Sequence, residues 1–233
     1  MSELLRPGVA REAKEKRLAT LLSGRTPEAL GLLEPLAAAQ ILGSLELSGF
    51  SPSYEEVLAA ARGLGGPEPA RRLYESLRAA RPKEAPSFEG LLSWHRLLGL
   101  GEGLRRDVRE RDGAPTSPPE FVEGRVRDLL EWLNSEAAAQ LKPAQIGALG
   151  LARLVEISPF SDGNGRVSRL LASHLMVRKG ERPPILVKGD GPRLRDAIER
   201  AFMFDTEPLA RLLDEAVGRS ADVMIQTLAG GGS

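Results

Sequence analysis

Apolar residues along most of this chain recur every three or four positions, the spacing of an amphipathic helix, and few segments alternate as strands do. The clearest case is SPPEFVEGRVRDLLEWLN, residues 117–134. Its predicted inward face is formed by Val122, Val126, Leu129, Leu130 and Leu133. We expect Ser117 to cap this helix, with Pro118 in the first turn and Glu120 completing a capping box. The pattern predicts an all-α protein.

Two further predicted helices flank one short loop. Residues 142–157, KPAQIGALGLARLVEI, carry one apolar stripe, and a second helix follows the sequence SDGNGR. That second helix is expected to end at Gly180, ahead of two prolines. The loop is therefore predicted to be held by a helix at each end.

The remaining pattern divides the chain into a lobe and a core. Breaks at SGFSPS and GLGGPEP separate two or three helices within residues 1–80, which we interpret as an N-terminal helical lobe. Residues 81–229 are interpreted as the core domain and residues 230–233 as a linker tail. The best hairpin candidate is RRDVRERDGAPTSP, with a tight turn at Asp112-Gly113. The last segment predicts two helices joined near Asp205.

Composition excludes several classes of function. The chain has 233 residues, with 32 basic and 32 acidic side chains, so no net positive field favours a nucleic acid or an anionic membrane. It has no cysteine and two histidines, which excludes disulfides and disfavours a zinc site. No apolar run is long enough to cross a bilayer, and the charged N-terminus is unlike a signal peptide. We therefore expect a cytoplasmic location, with no nucleic-acid or membrane partner.

The loop itself carries the candidate chemistry. In SDGNGRVSR, two glycines flank an asparagine directly before a helix, so successive backbone N–H groups can point outward as an anion cradle. Two arginines three positions apart can add forked donors to phosphate oxygens. Asp162 is a hard oxygen ligand of the kind that Mg²⁺ prefers. The spacing alone also fits an ordinary turn beside solvated arginines.

The segment resembles the signature of the Fic family, H-x-F-x-[DE]-G-N-G-R-x-x-R, in register from Phe160 to Arg169. Similarity extends to HRLLGLGEGLRR, PPEFVEGRVRDLLEWLN and RPPILV. The resemblance implies a Fic-type helical bundle that binds Mg²⁺ and ATP and transfers AMP to a hydroxyl of a target protein. It also implies a short β-hairpin flap, near Arg106 to Gly113, that aligns a target segment by strand addition.

The resemblance assigns a role to each matching residue. Asp162 would hold the metal, and Phe160 would anchor the loop by packing. Arg166 would stabilise the phosphates during in-line attack, and Arg169 would reach the γ-phosphate. The α- and β-phosphates would be cradled by Gly163, Asn164 and Gly165. The candidate catalytic residues are then Ser158, Asn164 and Arg166.

Ser158 departs from the family pattern, because the signature has its proton-accepting histidine there. A serine hydroxyl has no pKa near neutrality, and losing a general base costs roughly 10²–10⁴ in rate. His95 and His174 lie at helical spacing with leucines, so we expect both to pack in or near the core.

A second departure concerns the inhibitory helix of many family members, [ST]-x-x-x-E-[GN], whose glutamate pairs with the second motif arginine. Its best counterpart begins at Ser44 and ends at Gly49, and Ser48 occupies the glutamate position. Glu46 is a nearby carboxylate. Both the base and the inhibitory glutamate would then be serines, which leaves Arg169 free for a γ-phosphate.

Three functions remain open. The first is a degenerate Fic protein that keeps a magnesium–nucleotide site, has impaired or absent AMP transfer, and binds an unidentified target protein. The second is an active nucleotidyl- or phosphoryl-transferring or hydrolysing enzyme that uses a different base. The third is a non-catalytic interaction protein. A homodimer is compatible with each of them.

Overall fold

The computed structural model describes residues 11–80, 83–111 and 114–230, and the regular secondary structure of these residues is almost entirely helical, which confirms the all-α prediction. Short 3-10 turns lie at Glu28–Leu30 and Lys188–Asp190. The helices are α1 (Arg11–Leu22), α2 (Leu33–Glu46), α3 (Tyr54–Ala61), α4 (Glu68–Ala79), α5 (Phe88–Leu97), α6 (Pro119–Leu133), α7 (Glu136–Ala139), α8 (Pro143–Ile157), α9 (Asn164–Arg178), α10 (Gly191–Phe202) and α11 (Glu207–Gly230). None of them is long and apolar enough to span a membrane.

Helices α8 and α9 form the centre of the molecule and are joined by the loop of residues 158–163. Their close approach depends on small residues, since a Cβ atom at Gly150 would lie 2.5 Å from the Leu175 side chain. Leu154, Val167 and Leu171 are fully buried between them and the surrounding helices. One core cluster extends from α2 and α3 to α9, so apolar packing crosses residue 80. The division into a lobe and a core domain stays a prediction.

The predicted breaks between helices fall where expected. The SGFSPS segment separates α2 from α3, GLGGPEP separates α3 from α4, and α10 and α11 meet around Asp205. Gly180 has a φ of 84°, which lets the chain turn just after α9.

The predicted cap of α6 is wrong. Ser117 is buried, and its hydroxyl accepts a hydrogen bond from Arg125 Nη1 at 2.8 Å instead of binding the first turn. Pro118 occupies the cap position with an extended ψ of 143°. Because a proline disfavours helical geometry in the residue before it, two consecutive prolines move the helix start past Ser117.

The hairpin candidate is reduced to a very short pair of strands. β1 (Glu110–Arg111) pairs antiparallel with β2 (Ala114–Pro115), and the Thr116 N–H donates to the Arg109 carbonyl at 2.9 Å. The predicted Asp112-Gly113 turn lies outside the described residues. With two residues in each strand, a developed hairpin flap is not seen in the described part of the chain.

A close backbone contact fixes α2 against the segment that follows α9. Gly43 on α2 faces the Leu186 carbonyl so closely that a Cβ atom there would overlap the oxygen. The facing segment is itself anchored, because Arg219 donates to the Ile185 carbonyl at 2.8 Å and forms a buried ion pair with Asp190. The position of α2 therefore depends on the absence of a side chain at residue 43.

We predict that Gly43→Ala lowers the free energy of unfolding by about 3 kcal/mol, since overpacking against a fixed backbone costs about 1–3 kcal/mol and sometimes more. Gly218→Ala, in the interior of α11 with nothing within 4 Å of its would-be Cβ, is the matched control. It should gain about 0.5–1 kcal/mol from helix propensity. Denaturant unfolding measures both, and an equal response of the two variants would contradict the close contact.

Candidate functional site

The loop begins with a residue in a strained conformation. Ser158 ends α8 with φ 51° and ψ 60°, the left-handed region, and its N–H donates to the Leu154 carbonyl at 3.0 Å. Among residues with a side chain, histidine, asparagine and aspartate adopt this region more readily than most. The backbone at this position is therefore compatible with the histidine of the family signature.

An aromatic stack holds the middle of the loop. Phe160 is 1% exposed, and its ring lies parallel to that of His95, with centroids 3.9 Å apart. His95 Nε2 lies 3.0 Å from the Asp162 carbonyl oxygen, which fits a neutral ring that donates from Nε2. Burial lowers the pKa of His95, so the ring stays neutral at physiological pH. His95 is buried, as the sequence predicted, and it also supports the loop from the core side.

His174 is also buried and has a similar structural role. Its Nε2 lies 3.0 Å from the Glu84 carbonyl, its ring contacts Trp94, and burial lowers its pKa. Neither histidine faces the loop opening as a proton acceptor would.

The side chain of Asn164 closes the loop on itself. Its Oδ1 accepts from the Phe160 N–H at 2.9 Å, and its Nδ2 donates to the Phe160 carbonyl at 2.7 Å. Gly163, with φ 79°, occupies the cap position of α9, and a Cβ there would lie 2.5 Å from Leu100. The first backbone N–H groups of α9 have no partner within the helix and form a positive end.

Asp162 lies at the edge of this positive end. Its side chain is 71% exposed, Oδ1 accepts from the Gly163 N–H at 2.5 Å, and Oδ2 lies 3.3 Å from Arg166 Nη2. The described residues contain no cluster of three or more potential metal ligands. Mg²⁺ commonly binds one or two carboxylates and takes its other ligands from phosphates and water. The site therefore fits an ion shared with a nucleotide, not a metal centre built from protein ligands alone.

The two motif arginines have different surroundings. Arg166 is 8% exposed, and its guanidinium lies 5.7 Å from the centre of the Phe50 ring. Arg169 is hydrogen-bonded to α2 and to the residues after it: Nε donates to Ser44 Oγ at 3.1 Å, and Nη2 donates to the Ser44 carbonyl and to Ser48 Oγ, both at 2.8 Å. The structure thus brings the two predicted regulatory serines onto Arg169.

Arg169 carries a partly buried charge without a compensating carboxylate. None of the ion pairs among the described residues includes it, and neither Glu46 nor another acidic side chain takes the place of a partner. Burial and the neighbouring Arg166 charge lower its pKa to about 10, so it remains protonated at neutral pH. Gly49, the third predicted regulatory residue, turns the chain after α2 with φ 88°.

Sequence reasoning missed Arg105. This residue is 3% exposed, and its guanidinium donates to the Ser158 carbonyl at 2.7 Å. Its contacts join segments about 50 residues apart, so no local pattern in the sequence indicates them.

Comparisons with known proteins find a family match for the central part of the chain. Residues 86–176 match the sequence model of the Fic/DOC family. "Protein adenylyltransferase fic-1" of Caenorhabditis elegans is 29% identical over 172 residues, which cover 71% of this chain and 33% of that protein. The chain therefore carries a domain of the Fic/DOC family and is related to protein adenylyltransferases. It spans a third or less of the length of the curated relatives it matches.

Solved structures show the same fold. A Fic domain containing signaling protein from Bacteroides thetaiotaomicron superposes with a TM-score of 0.76 at 20% identity, covering 94% of this chain and 98% of that one. A variant of IbpAFic2 in complex with adenylylated Cdc42 has a TM-score of 0.52 at 16% identity, with coverages of 98% and 72%. At these identities the likeness concerns the fold alone.

We predict that Asn164→Ala lowers the free energy of unfolding by about 2 kcal/mol, because unpaired buried backbone groups at Phe160 cost about 1–3 kcal/mol. Asn164→Asp keeps the acceptor for the Phe160 N–H and should lose less. Hydrogen exchange at the Phe160 amide measures the local effect. Unchanged exchange in Asn164→Ala would contradict a closing role for this side chain.

Proposed function

We propose that this protein binds Mg²⁺·ATP at the loop and at the start of α9, and that its ordinary AMP transfer is impaired. The observation that carries the proposal is the partly buried guanidinium of Arg169, which meets serine hydroxyls and a carbonyl where a carboxylate would block an anion. A partly desolvated charged donor without a counter-ion is a strong binding group for a terminal phosphate.

Different groups of the proposed site bind different parts of the nucleotide. The N–H groups at the start of α9, including those of Asn164 and Gly165, cradle the inner phosphates. Arg166 is oriented by Asp162 and adds charge-assisted hydrogen bonds as negative charge shifts during transfer. Mg²⁺ held by Asp162 would neutralise phosphate charge. None of these tasks requires the side chain of residue 158.

Proton removal is the step that this site lacks. Ser158 cannot take a proton from an attacking hydroxyl at neutral pH. The carboxylate of Glu156, two residues before Ser158, forms an ion pair with Arg153 at 2.5 Å. The Nε2 atom of His95 is hydrogen-bonded to the Asp162 carbonyl. We therefore propose an intact nucleotide site with a transfer rate reduced by roughly 10²–10⁴.

The proposed acceptor is a hydroxyl side chain of a target protein. The IbpAFic2 variant, which shares the fold, was solved with adenylylated Cdc42. For the present chain the target is unidentified, and nucleotide-dependent binding of that target is the function left when transfer is lost.

We predict that Ser158→His gains AMP transfer of roughly 10²–10⁴-fold over the unaltered chain, because it restores a general base. The measurement is incorporation of label from α-labelled ATP with Mg²⁺ into the protein itself and into proteins of a lysate. The double variant Ser158→His with Asp162→Ala is the control and should be inactive. Equal labelling by the unaltered chain would show that another group acts as base, and no labelling by either protein would overturn the proposal.

We predict opposite effects of Ser48→Glu on stability and on nucleotide binding. A carboxylate beside Arg169 should stabilise the fold by about 1.5 kcal/mol, the lower end of the range for a hydrogen bond between charged groups. Arg169 should lower the pKa of the new glutamate, so the gain should be present at neutral pH and be lost as the glutamate is protonated in acid. Nucleotide affinity should fall at least tenfold.

Ser51→Glu adds the same charge at an exposed serine after α2 and is the matched control. It should leave both the melting temperature and the affinity nearly unchanged. If Ser48→Glu and Ser51→Glu behave alike, net charge and not the contact with Arg169 explains the effect.

A further inference from the structure

Arg105 is a buried arginine whose side chain lies between two parts of the molecule. One part is the start of the motif loop, residues 157–159, and the other is the 107–117 segment, which the structure describes at residues 107–111 and 114–117 and which contains β1 and β2. The two parts are about 40 to 50 positions apart in the sequence. A single side chain therefore bridges the candidate nucleotide site and its neighbouring segment.

On the loop side, Arg105 binds backbone groups around the strained Ser158. Its Nε donates to the Ser158 carbonyl at 2.7 Å, and its own backbone N–H donates to the Pro159 carbonyl at 2.9 Å. The Ile157 carbonyl lies 3.4 Å from Nη2. These contacts hold the left-handed turn that starts the loop.

On the other side, the same guanidinium binds both ends of the 107–117 segment. Nη1 donates to the Asp107 carbonyl at 2.5 Å, and Nη2 donates to Thr116 Oγ1 at 3.1 Å and to the Ser117 carbonyl. Thr116 Oγ1 in turn donates to the Arg109 carbonyl at 3.0 Å. The described ends of the segment are thus joined through the arginine side chain.

The acceptors of Arg105 are neutral. None of the ion pairs among the described residues includes it, and burial lowers its pKa. A buried charge that has no ionic partner costs free energy unless its donors are well satisfied. Only a planar guanidinium presents donors in the several fixed directions that these carbonyls require, so lysine cannot reproduce the arrangement.

We propose that Arg105 is a positioning residue that couples the 107–117 segment to the nucleotide loop. Nucleotide binding at the loop then orders the segment, and a ligand that orders the segment strengthens nucleotide binding by the same factor, because such coupling is reciprocal. The nucleotide part of this inference rests on the proposed function. The coupling between the two segments does not.

The test compares the unaltered chain with Arg105→Met, and uses Arg71→Met, an exposed arginine of α4, as the matched control. Hydrogen exchange at the Thr116 amide reports on the segment, with and without Mg²⁺ and a non-hydrolysable ATP analogue. We expect the analogue to slow this exchange about fivefold in the unaltered chain and in Arg71→Met, a typical coupling, and to have no effect on it in Arg105→Met. Calorimetry should show about fivefold weaker analogue binding by Arg105→Met.

The proposal is overturned if the analogue slows hydrogen exchange at the Thr116 amide as much in Arg105→Met as it does in the unaltered chain. Thr116→Val provides a second test, which needs no nucleotide and changes the core little. It removes the hydrogen bond from Arg105 Nη2 to Thr116 Oγ1, a contact with the 107–117 segment only. We expect faster hydrogen exchange at the Ser158 and Phe160 amides, on the loop side of Arg105. If those amides are unaffected, the coupling is absent. If the unaltered chain fails to bind the analogue, the proposed function is wrong. The exchange rates in Thr116→Val still test whether Arg105 couples the two segments.

Discussion

The candidate site depends most on one unusual interaction, the contact of the partly buried Arg169 charge with two serines. Its three hydrogen bonds to Ser44 and Ser48 join α9 to α2 and the turn after it at the point where the candidate site meets the N-terminal helices. Neutral acceptors offset less of the desolvation cost of this charge than a carboxylate would. Binding of an anion beside Arg169 would offset more of that cost, and is therefore favoured. The close packing of Gly43 keeps α2 near enough for the interaction to form.

The loop geometry does not depend on the side chain of Ser158. The turn is held by the Asn164 amide, by the stack of Phe160 on His95, and by the contacts of Arg105 with backbone carbonyls. A histidine at residue 158 can therefore be replaced without loss of the cradle for phosphates. Loss of the base and loss of the site are therefore separable, which is the physical ground for the proposal that the protein binds nucleotide while its AMP transfer is impaired.

Much of the fold and part of the site follow from the sequence. Helical periodicity predicts the main helices, and the resemblance to the family's inhibitory helix implies that Ser44 and Ser48 lie close to Arg169. The cap of α6 was mispredicted because Pro119 keeps the preceding Pro118 in an extended conformation, so the helix begins one residue later and Pro118, not Ser117, takes the cap position. The role of Arg105 could not be predicted, since it arises from tertiary contacts with carbonyl groups, which carry no sequence signal.

The most direct test of the central claim is calorimetric comparison of ATP and ADP, each with Mg²⁺, binding to the unaltered protein. If Arg169 accepts the terminal phosphate, ATP should bind at least about tenfold more tightly than ADP, a difference of about 1.4 kcal/mol that matches one charge-assisted hydrogen bond. This preference should disappear in Arg169→Met. Equal affinity of the unaltered protein for ATP and ADP would contradict the claim that its uncompensated arginine is a phosphate site.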